Sequence, residues 1–533
     1  MIHSRINLPF TIPRWPAAVG VAAALVALAA AIIYARHDLG ISHYDARAHL
    51  VVARRVIDSL TPGWHQIGAV WLPLPHVLNL LPVQWDWAYR TGASATLMSV
   101  VCMGVSAFAG ARLLERATGS RLAGAACAAL LVTNVNVLYL HATPMTEPLL
   151  LALAFLAVER LDAWLRDPEM SSVSPGLALF LLCLTRYEGW ALTAAAMGIA
   201  GLLSLARCPV FLREGVKGSQ ARPLFGAPAP RLSEGIPDQA PATSAPIRFY
   251  LNRWLLLALW PAAAVVGFLC LSKATVGAWF VSDGFYVADN PARGDVGLVL
   301  EQIRGGVERL SSPAYAAFGA LGLVLVAVRG AASRHHRAVL VVLSLAAMAA
   351  LPLVAFHAGH PFRIRYMTPL VAASALFTGF AIGLTPPVGR VLMLAAAALL
   401  IVPDLKPFDH TAPMVVEARR EERHQVNRRA VTAALRQAWD GTPILMSMGS
   451  FAHYMHDLGR EGFDIADFLH EGNGEIWNAA VADPASHVRF LIVEERAEGG
   501  DMFAHLLKER PEVAARFQRL AAGGNAALYR RIW

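Results

Sequence analysis

The sequence predicts an α-helical polytopic membrane protein of about eleven transmembrane helices, ending in a soluble α/β domain. Three observations lead there. Of 533 residues, 56% are hydrophobic and 16% charged, whereas soluble domains run near a quarter charged. The apolar residues come in repeated runs of about 18, long enough to cross a hydrocarbon core as a helix. After residue 403 charges become frequent and apolar runs shorten to strand length. Together these exclude a disordered chain, a collagen-like chain and an ordinary soluble enzyme. The expected division is a membrane unit over residues 1–403 and an extracytoplasmic domain over 404–533.

The first run, residues 17–34, follows Arg5 and Arg14 and has no small-residue cleavage site after it. It is expected to be a retained anchor with a cytoplasmic N-terminus. Further spans are expected at 91–111, 122–140, 147–165, 175–185 and 190–205, then at 254–271, 313–328, 338–356, 367–384 and 391–402. Alternation places Arg112, Arg116, Arg121, Arg160, Arg166, Arg329, Arg334, Arg337 and Arg390 on the cytoplasmic side, in keeping with the positive-inside rule. The Pro-rich, basic segment 207–253 falls there too and has the composition of a flexible linker. Residues 175–205 are split around Arg186-Tyr187-Glu188, because one continuous helix would carry charges at mid-membrane depth. The outer face then collects the 36–90 loop, the 141–146 turn, the Arg186 turn, the 273–312 loop, the 357–366 turn and the tail.

The net charge of +8 follows from those cytoplasmic arginines. No aromatic-interleaved basic module accompanies it, so nucleic acid is not an expected partner. Cys102, Cys127, Cys183, Cys208 and Cys270 lie in or beside apolar runs and form no CxxC pair. They read as small buried hydrophobes, without a zinc site or disulfide framework. In the tail, strands are expected at 442–448, 488–493 and 526–533, and helices at 415–439 and 501–507. The tail has no Gly-rich phosphate loop, and MSMGS at 446–450 does not match the hydrolase elbow. His453, His456 and His470 lack zinc-site spacing and read as surface or packing residues.

Four clusters can carry chemistry. In SHYDARAH (42–49), Asp45 precedes a stretch with Leu50, Ala53, Ile57 and Leu60 on one helical face. That pattern fits an amphipathic helix in the membrane interface. Asp45 is either its N-cap or an acid at the outer rim, acting as general base or metal ligand. Glu147 opens a span between Thr146 and Pro148; it either complements the helix dipole or faces the same cavity as Asp45. Arg186, Tyr187 and Glu188 form a charged turn, read as an ion pair or a cavity wall. In HAGHPFRIRYMTP (357–369), Arg363 and Arg365 stand outside against the charge rule. They suit a phosphate, gripped by guanidinium forks, or anionic lipid headgroups. Tyr366 anchors the interface or meets the ligand, and His49 and His357 complete the cavity-lining candidates. Trp64, Trp71, Trp85 and Trp87 read as an interfacial belt or a sugar-stacking platform. WLPLPH (71–76) must break any helix through its two prolines.

An acid opening the first outer loop, a second acid between the third and fourth spans and an RY-x-x-P motif before a late span occur here in order and on one side. With the outer C-terminal domain, this arrangement resembles the GT-C superfamily of membrane glycosyltransferases. Within it the chain is similar to glycosyltransferase family 39, which includes protein O-mannosyltransferase and aminoarabinose-transferase-like enzymes. The resemblance covers roughly residues 10–400; the tail does not match the sugar-binding domain of the eukaryotic O-mannosyltransferases. It implies a multi-pass enzyme of the bacterial inner membrane, a polyprenyl-phosphate sugar donor and an acceptor hydroxyl on protein, lipid or glycan. It implies that Asp45 is the general base of an inverting transfer and that Glu147 orients donor, acceptor or a metal. Arg365 and Tyr366, with Arg363, would hold the donor phosphate, and Arg186 and Glu188 would line the cavity. Asp45 is followed by Ala46 where many relatives carry a second acid, which argues against a divalent metal; no other cofactor is implied. The 273–312 loop, with Trp279, Phe280, Phe285 and Tyr286, is the candidate lid against water. The rival expectation is a secondary transporter or flippase for a lipid-linked or anionic substrate. Such proteins often show internal repeats and midplane polar sites; here no repeat is visible and the polar residues gather at one rim.

Overall fold

Backbone surrounded by hydrocarbon must satisfy its N–H and C=O groups internally, and all eleven apolar runs fold into helical segments. The computed structural model describes residues 13–206, 247–280, 290–406, 408–496 and 500–532. In chain order come α1 (Arg14–Arg36), α2 (Tyr44–Arg54), α3 (Ala93–Thr118), α4 (Arg121–Thr133), α5 (Val135–His141) and α6 (Glu147–Arg166). They are followed by α7 (Val173–Cys183), α8 (Glu188–Leu205), α9 (Ile247–Val276), α10 (Val296–Leu310) and α11 (Pro313–Ala332). A 3-10 segment (Arg334–Ala349) runs into α12 (Ala350–Ala358), and α13 (Thr368–Gly383) and α14 (Pro387–Ile401) complete the bundle. The basic 207–253 linker lies largely outside the described residues, as do Cys208, Phe285 and Tyr286.

Among the described residues, eight helices are long and apolar enough to cross a membrane alone, or nine with α4 and α5 taken as one bent span. The chain is therefore a multi-pass membrane protein. Three expected spans depart from the simple pattern. The α6 helix carries Glu147, Glu159, Arg160, Asp162 and Arg166, and α7 has only 11 residues. The expected span at 122–140 is bent by 78° between α4 and α5. Asn134 causes this: its side chain accepts from the Val137 N–H (3.0 Å) and donates to the Leu310 carbonyl (2.8 Å). A short amide side chain thus offers the backbone partners that compete with the helix. The expected break at Arg186-Tyr187-Glu188 is present, as the turn between α7 and α8. The α13 helix is buried along nearly its whole length. Helices α1 and α3 approach closely at two glycines: a Cβ at Gly20 would lie 2.8 Å from the Gly104 carbonyl oxygen. Small residues of this kind let membrane helices pack backbone to backbone.

The C-terminal region begins with α15 (Pro413–Ala438). Then follow β1 (Ile444–Met446), α16 (Met448–Arg460), β2 (Phe468–Leu469), α17 (Glu475–Ala482), β3 (Phe490–Glu494), α18 (Met502–Glu509), β4 (Phe517–Gly523) and β5 (Ala526–Arg531). The sheet order is β2-β1-β3-β5-β4. The β2-β1-β3 half is parallel, and β5 pairs antiparallel with both β3 and β4. Alternation along β1 and β3 sends Leu445, Leu491 and Val493 to a core with Trp477 and Phe503. Ile444, Met446, Phe490 and Ile492 face the other way, into a core that includes Phe451 and Tyr454 and also Leu50, Val51 and Ala53 of α2. This corrects the expected interfacial helix. Every residue of α2 except Tyr44 and His49 is buried, because the C-terminal region covers the face that would otherwise meet the membrane surface.

Candidate active site

The site begins at the first turn of α2. His43, not Asp45, is the N-cap: its Nδ1 accepts from the Asp45 N–H at 3.2 Å. The capping role expected as an alternative for Asp45 is therefore taken, and its carboxylate is released for other work. Asp45 is buried and its Oδ2 pairs with Nη1 of Arg365. Arg365 sits in the 3-10 turn Ile364–Met367 that leads into α13. The approach to this turn is tied down by Asn290, whose amide donates to the carbonyls of Gly359 (3.2 Å) and His360 (2.9 Å). The Arg365 guanidinium lies 5.6 Å from the Tyr44 ring and 5.7 Å from the Tyr366 ring, so aromatic faces hold a cation away from water.

Glu147 enters from the first turn of α6, 1% exposed. Thr146 precedes it but does not cap the helix with its side chain; its Oγ1 instead accepts from Nη1 of Arg186 at 2.9 Å. The same Nη1 lies 3.1 Å from Glu147 Oε1, while Nη2 donates to Glu188 Oε1 at 2.9 Å. Arg365 Nη1 is 4.0 Å from Glu147 Oε1. Asp45, Glu147, Arg186, Glu188 and Arg365 thus form one connected charge cluster supplied by α2, α6, the α7–α8 turn and the turn before α13. Glu147 Oε1 is met by Arg186, and its Oε2 accepts no hydrogen bond among the described residues. Buried polar atoms are normally satisfied, and this opening is the feature a ligand can use.

A histidine pair lines one side. His49 Nδ1 lies 3.0 Å from His76 Nε2, and its Nε2 lies 3.5 Å from Thr146 Oγ1. Trp71 packs against His49 with ring centres 4.3 Å apart. Burial pushes His76 down to about 3 and holds His49 well below the usual imidazole range, helped in the latter by His76 and Arg186. Both rings are neutral at neutral pH. Tyr187 packs with Trp190, Phe268 and Phe280 and donates to the Ala69 carbonyl at 3.3 Å. Arg363 is half-buried, and its charge acts on Tyr44 and Glu417.

His357 does not join the group. It is exposed in the last turn of α12, and its carbonyl accepts from the Gly294 N–H at 2.9 Å. Trp64, Trp85 and Trp87 are exposed, leaving Trp71 alone of the four at the site. Among the lid candidates, Trp279 and Phe280 are exposed. The described residues contain no cluster of three or more His, Cys, Asp or Glu arranged to hold a metal ion.

Two contributions escaped sequence reasoning. Glu417 of α15 reaches the site, with Oε2 3.2 Å from His43 Nε2. Arg47, fully buried, grips Asp457 of α16 through Nη1 with both oxygens, at 2.6 and 2.7 Å, and donates to the Ser42 carbonyl at 2.8 Å. The only available signal for Arg47 was its place within the SHYDARAH motif.

No protein-family model and no curated protein matches the sequence. Solved structures do match. The chain is similar to the crystal structure of ArnT from Cupriavidus metallidurans in the apo state, with 13% identity and a TM-score of 0.52, over 96% of this chain and 98% of that one. It is equally similar to ArnT from the same organism bound to undecaprenyl phosphate, with 11% identity and a TM-score of 0.52, over 96% and 97% of the two chains. From the first span through the C-terminal sheet, the chain has the fold of ArnT.

Proposed function

We propose that this protein is an integral membrane glycosyltransferase that moves a sugar from a polyprenyl-phosphate donor to an acceptor hydroxyl. The observation that carries this is the pairing of Asp45 with Arg365 in a cluster where Glu147 and Arg186 also meet. The cluster combines a base with a grip for an anionic leaving group. The likeness to ArnT, crystallised with undecaprenyl phosphate, supports a lipid phosphate as the carrier.

In this mechanism the donor phosphate competes with Asp45 for Arg365. Phosphate accepts bidentate guanidinium bonds well, so donor binding frees the Asp45 carboxylate. Asp45 then takes the acceptor hydroxyl proton. The acceptor oxygen attacks the anomeric carbon from the face opposite the phosphate, and the bond from that carbon to the phosphate oxygen breaks. Inversion follows. The charge that develops on the departing polyprenyl phosphate is met by Arg365 and Arg363, fixed in place before reaction. Glu147, oriented by Arg186, holds donor or acceptor. The distribution of arginines supports a cytoplasmic N-terminus and an extracytoplasmic site and C-terminal region, in the inner membrane of a bacterium.

Mass spectrometry of polyprenyl phosphate retained by the purified protein tests this. After incubation with undecaprenyl phosphate, the intact chain is expected to retain it and the Arg363→Ala/Arg365→Ala variant to lose it with the fold intact. Equal retention by both would overturn the arginine assignment. No retention by either would remove the lipid-donor proposal.

A further inference from the structure

The first turn of α2 is held from the far end of the chain. Asp45 is the second residue of that helix, so its N–H has no partner within the helix. His43 Nδ1 supplies one at 3.2 Å. A nitrogen that accepts from an N–H carries no proton, so the proton of this neutral ring is on Nε2. Nε2 lies 3.2 Å from Glu417 Oε2 and therefore donates to it. His43 is fully buried, and Glu417 is the side-chain acceptor that its Nε2 meets. The line runs from a carboxylate on α15, through one imidazole, to the backbone of Asp45. Two residues on, Arg47 is bound by Asp457 of α16 and lies 3.6 Å from Glu421 of α15. Both flanks of Asp45 are thus anchored to the C-terminal region.

We infer that Glu417 is a positioning residue for the transfer: by accepting the Nε2 proton of His43 it fixes the tautomer that caps the Asp45 N–H, and so sets where the Asp45 carboxylate lies. The inference rests on Asp45 being the base. The C-terminal region is then a working part of the site, reaching it through α15. Without Glu417, the buried Nε2–H loses its side-chain acceptor. Turning the ring or moving its proton satisfies that group only by removing the cap from Asp45.

The test uses the full chain in lipid nanodiscs and two readouts, backbone amide exchange of the peptide containing Asp45 and sugar transfer from a polyprenyl-phosphate donor. In Glu417→Ala, exchange at that peptide is expected to rise about five- to tenfold, the size of a lost helix cap. Transfer is expected to lose about 100-fold in kcat, the scale of a misplaced reacting group, with donor KM unchanged. Glu417→Gln, whose amide oxygen still accepts from Nε2–H, should recover most of both. His43→Asn caps through its own side chain, so adding Glu417→Ala to it should change neither readout further. The proposal is overturned if Glu417→Ala exchanges as wild type does, or if its effect persists undiminished in the His43→Asn background. A fall confined to KM also overturns it. If Glu417→Ala does not fold, the Glu417→Gln and double-variant comparisons decide. If no form transfers sugar, the transferase assignment fails, while exchange still decides whether Glu417 positions Asp45.

Discussion

The two ends of α6 each bury acids among arginines, and they do so in opposite ways. At the C-terminal end, Glu159 and Asp162 are fully buried and every carboxylate oxygen is met. Arg116 donates to Glu159 Oε1 (2.7 Å) and Asp162 Oδ2 (2.8 Å), Arg160 pairs with Glu159 Oε2, and Arg166 donates to both oxygens of Asp162. At the N-terminal end, Glu147 is just as buried, but only its Oε1 is met, by Arg186 at 3.1 Å, while its Oε2 accepts no hydrogen bond among the described residues. A buried charge is tolerable when paired and saturated, and costly otherwise. The saturated end reads as architecture. The undersaturated end is where the proposed donor would find partners.

Substitutions can break or sharpen that contrast. The largest effect is expected at Asp45: Asp45→Asn should lower transfer about 1,000-fold, within the range of a lost general base. Glu159→Gln should do the reverse, destabilising the protein while the folded fraction keeps its kcat. Equal activity losses in the two variants would erase the distinction. Next, Arg116→Ala removes the one arginine shared by two buried acids, leaving Glu159 to Arg112 and Arg160 and Asp162 to Arg166, and should cost about 1–3 kcal/mol of stability; denaturation in detergent measures it. Arg365→Ala should lose undecaprenyl phosphate retention while its folded fraction persists. Glu147→Gln should lower transfer about tenfold through weakened orientation, while stability holds or rises because the opening no longer contains an ion.

The smallest effect extends the rule to the C-terminal region. Burial, with Asp501 nearby, raises Glu494 from 4.5 to about 7. A carboxyl raised on folding contributes stability that is complete below its unfolded value and is lost as pH rises through the folded one. Here that window runs from about pH 4.5 to about pH 7. Glu494→Gln, which cannot ionise, should therefore melt higher than wild type at about pH 8, by about 1–3 kcal/mol, with the gap closed near pH 4.5. A gap independent of pH would show that packing and not ionisation is responsible.

Much of the fold was legible because the signals are local. Apolar runs identify membrane helices without knowledge of their neighbours, and β1, β3 and β5 stand out as short apolar stretches. The bend at Asn134 was not legible, since hydropathy continues through it and the cause is a carbonyl some 176 residues away. Strand β2 has two residues, and β4 (FQRLAAG) has a polar exposed face. Helix α16 hides a strongly apolar face behind Gly, Ser and His. In the site, Asp45, Glu147, Arg186, Glu188 and Arg365 were legible because charges beside apolar runs are anomalous. Glu417 lies in a helix crowded with charges, where one more acid carries no signal. His357 shows the converse: its place beside the arginines was legible, but side-chain direction was not.

The clasp between Arg47 and Asp457 joins residues 410 positions apart. A ribosome delivers the N-terminal spans long before Asp457 exists. Throughout that interval the helix bearing Asp45 has an arginine without its partner and no sheet to lie against. The helix bearing Asp45 therefore takes up these contacts only once residues 410 positions further along are made, and a product truncated at the end of the bundle would retain Arg363 and Arg365 without the partner of Arg47.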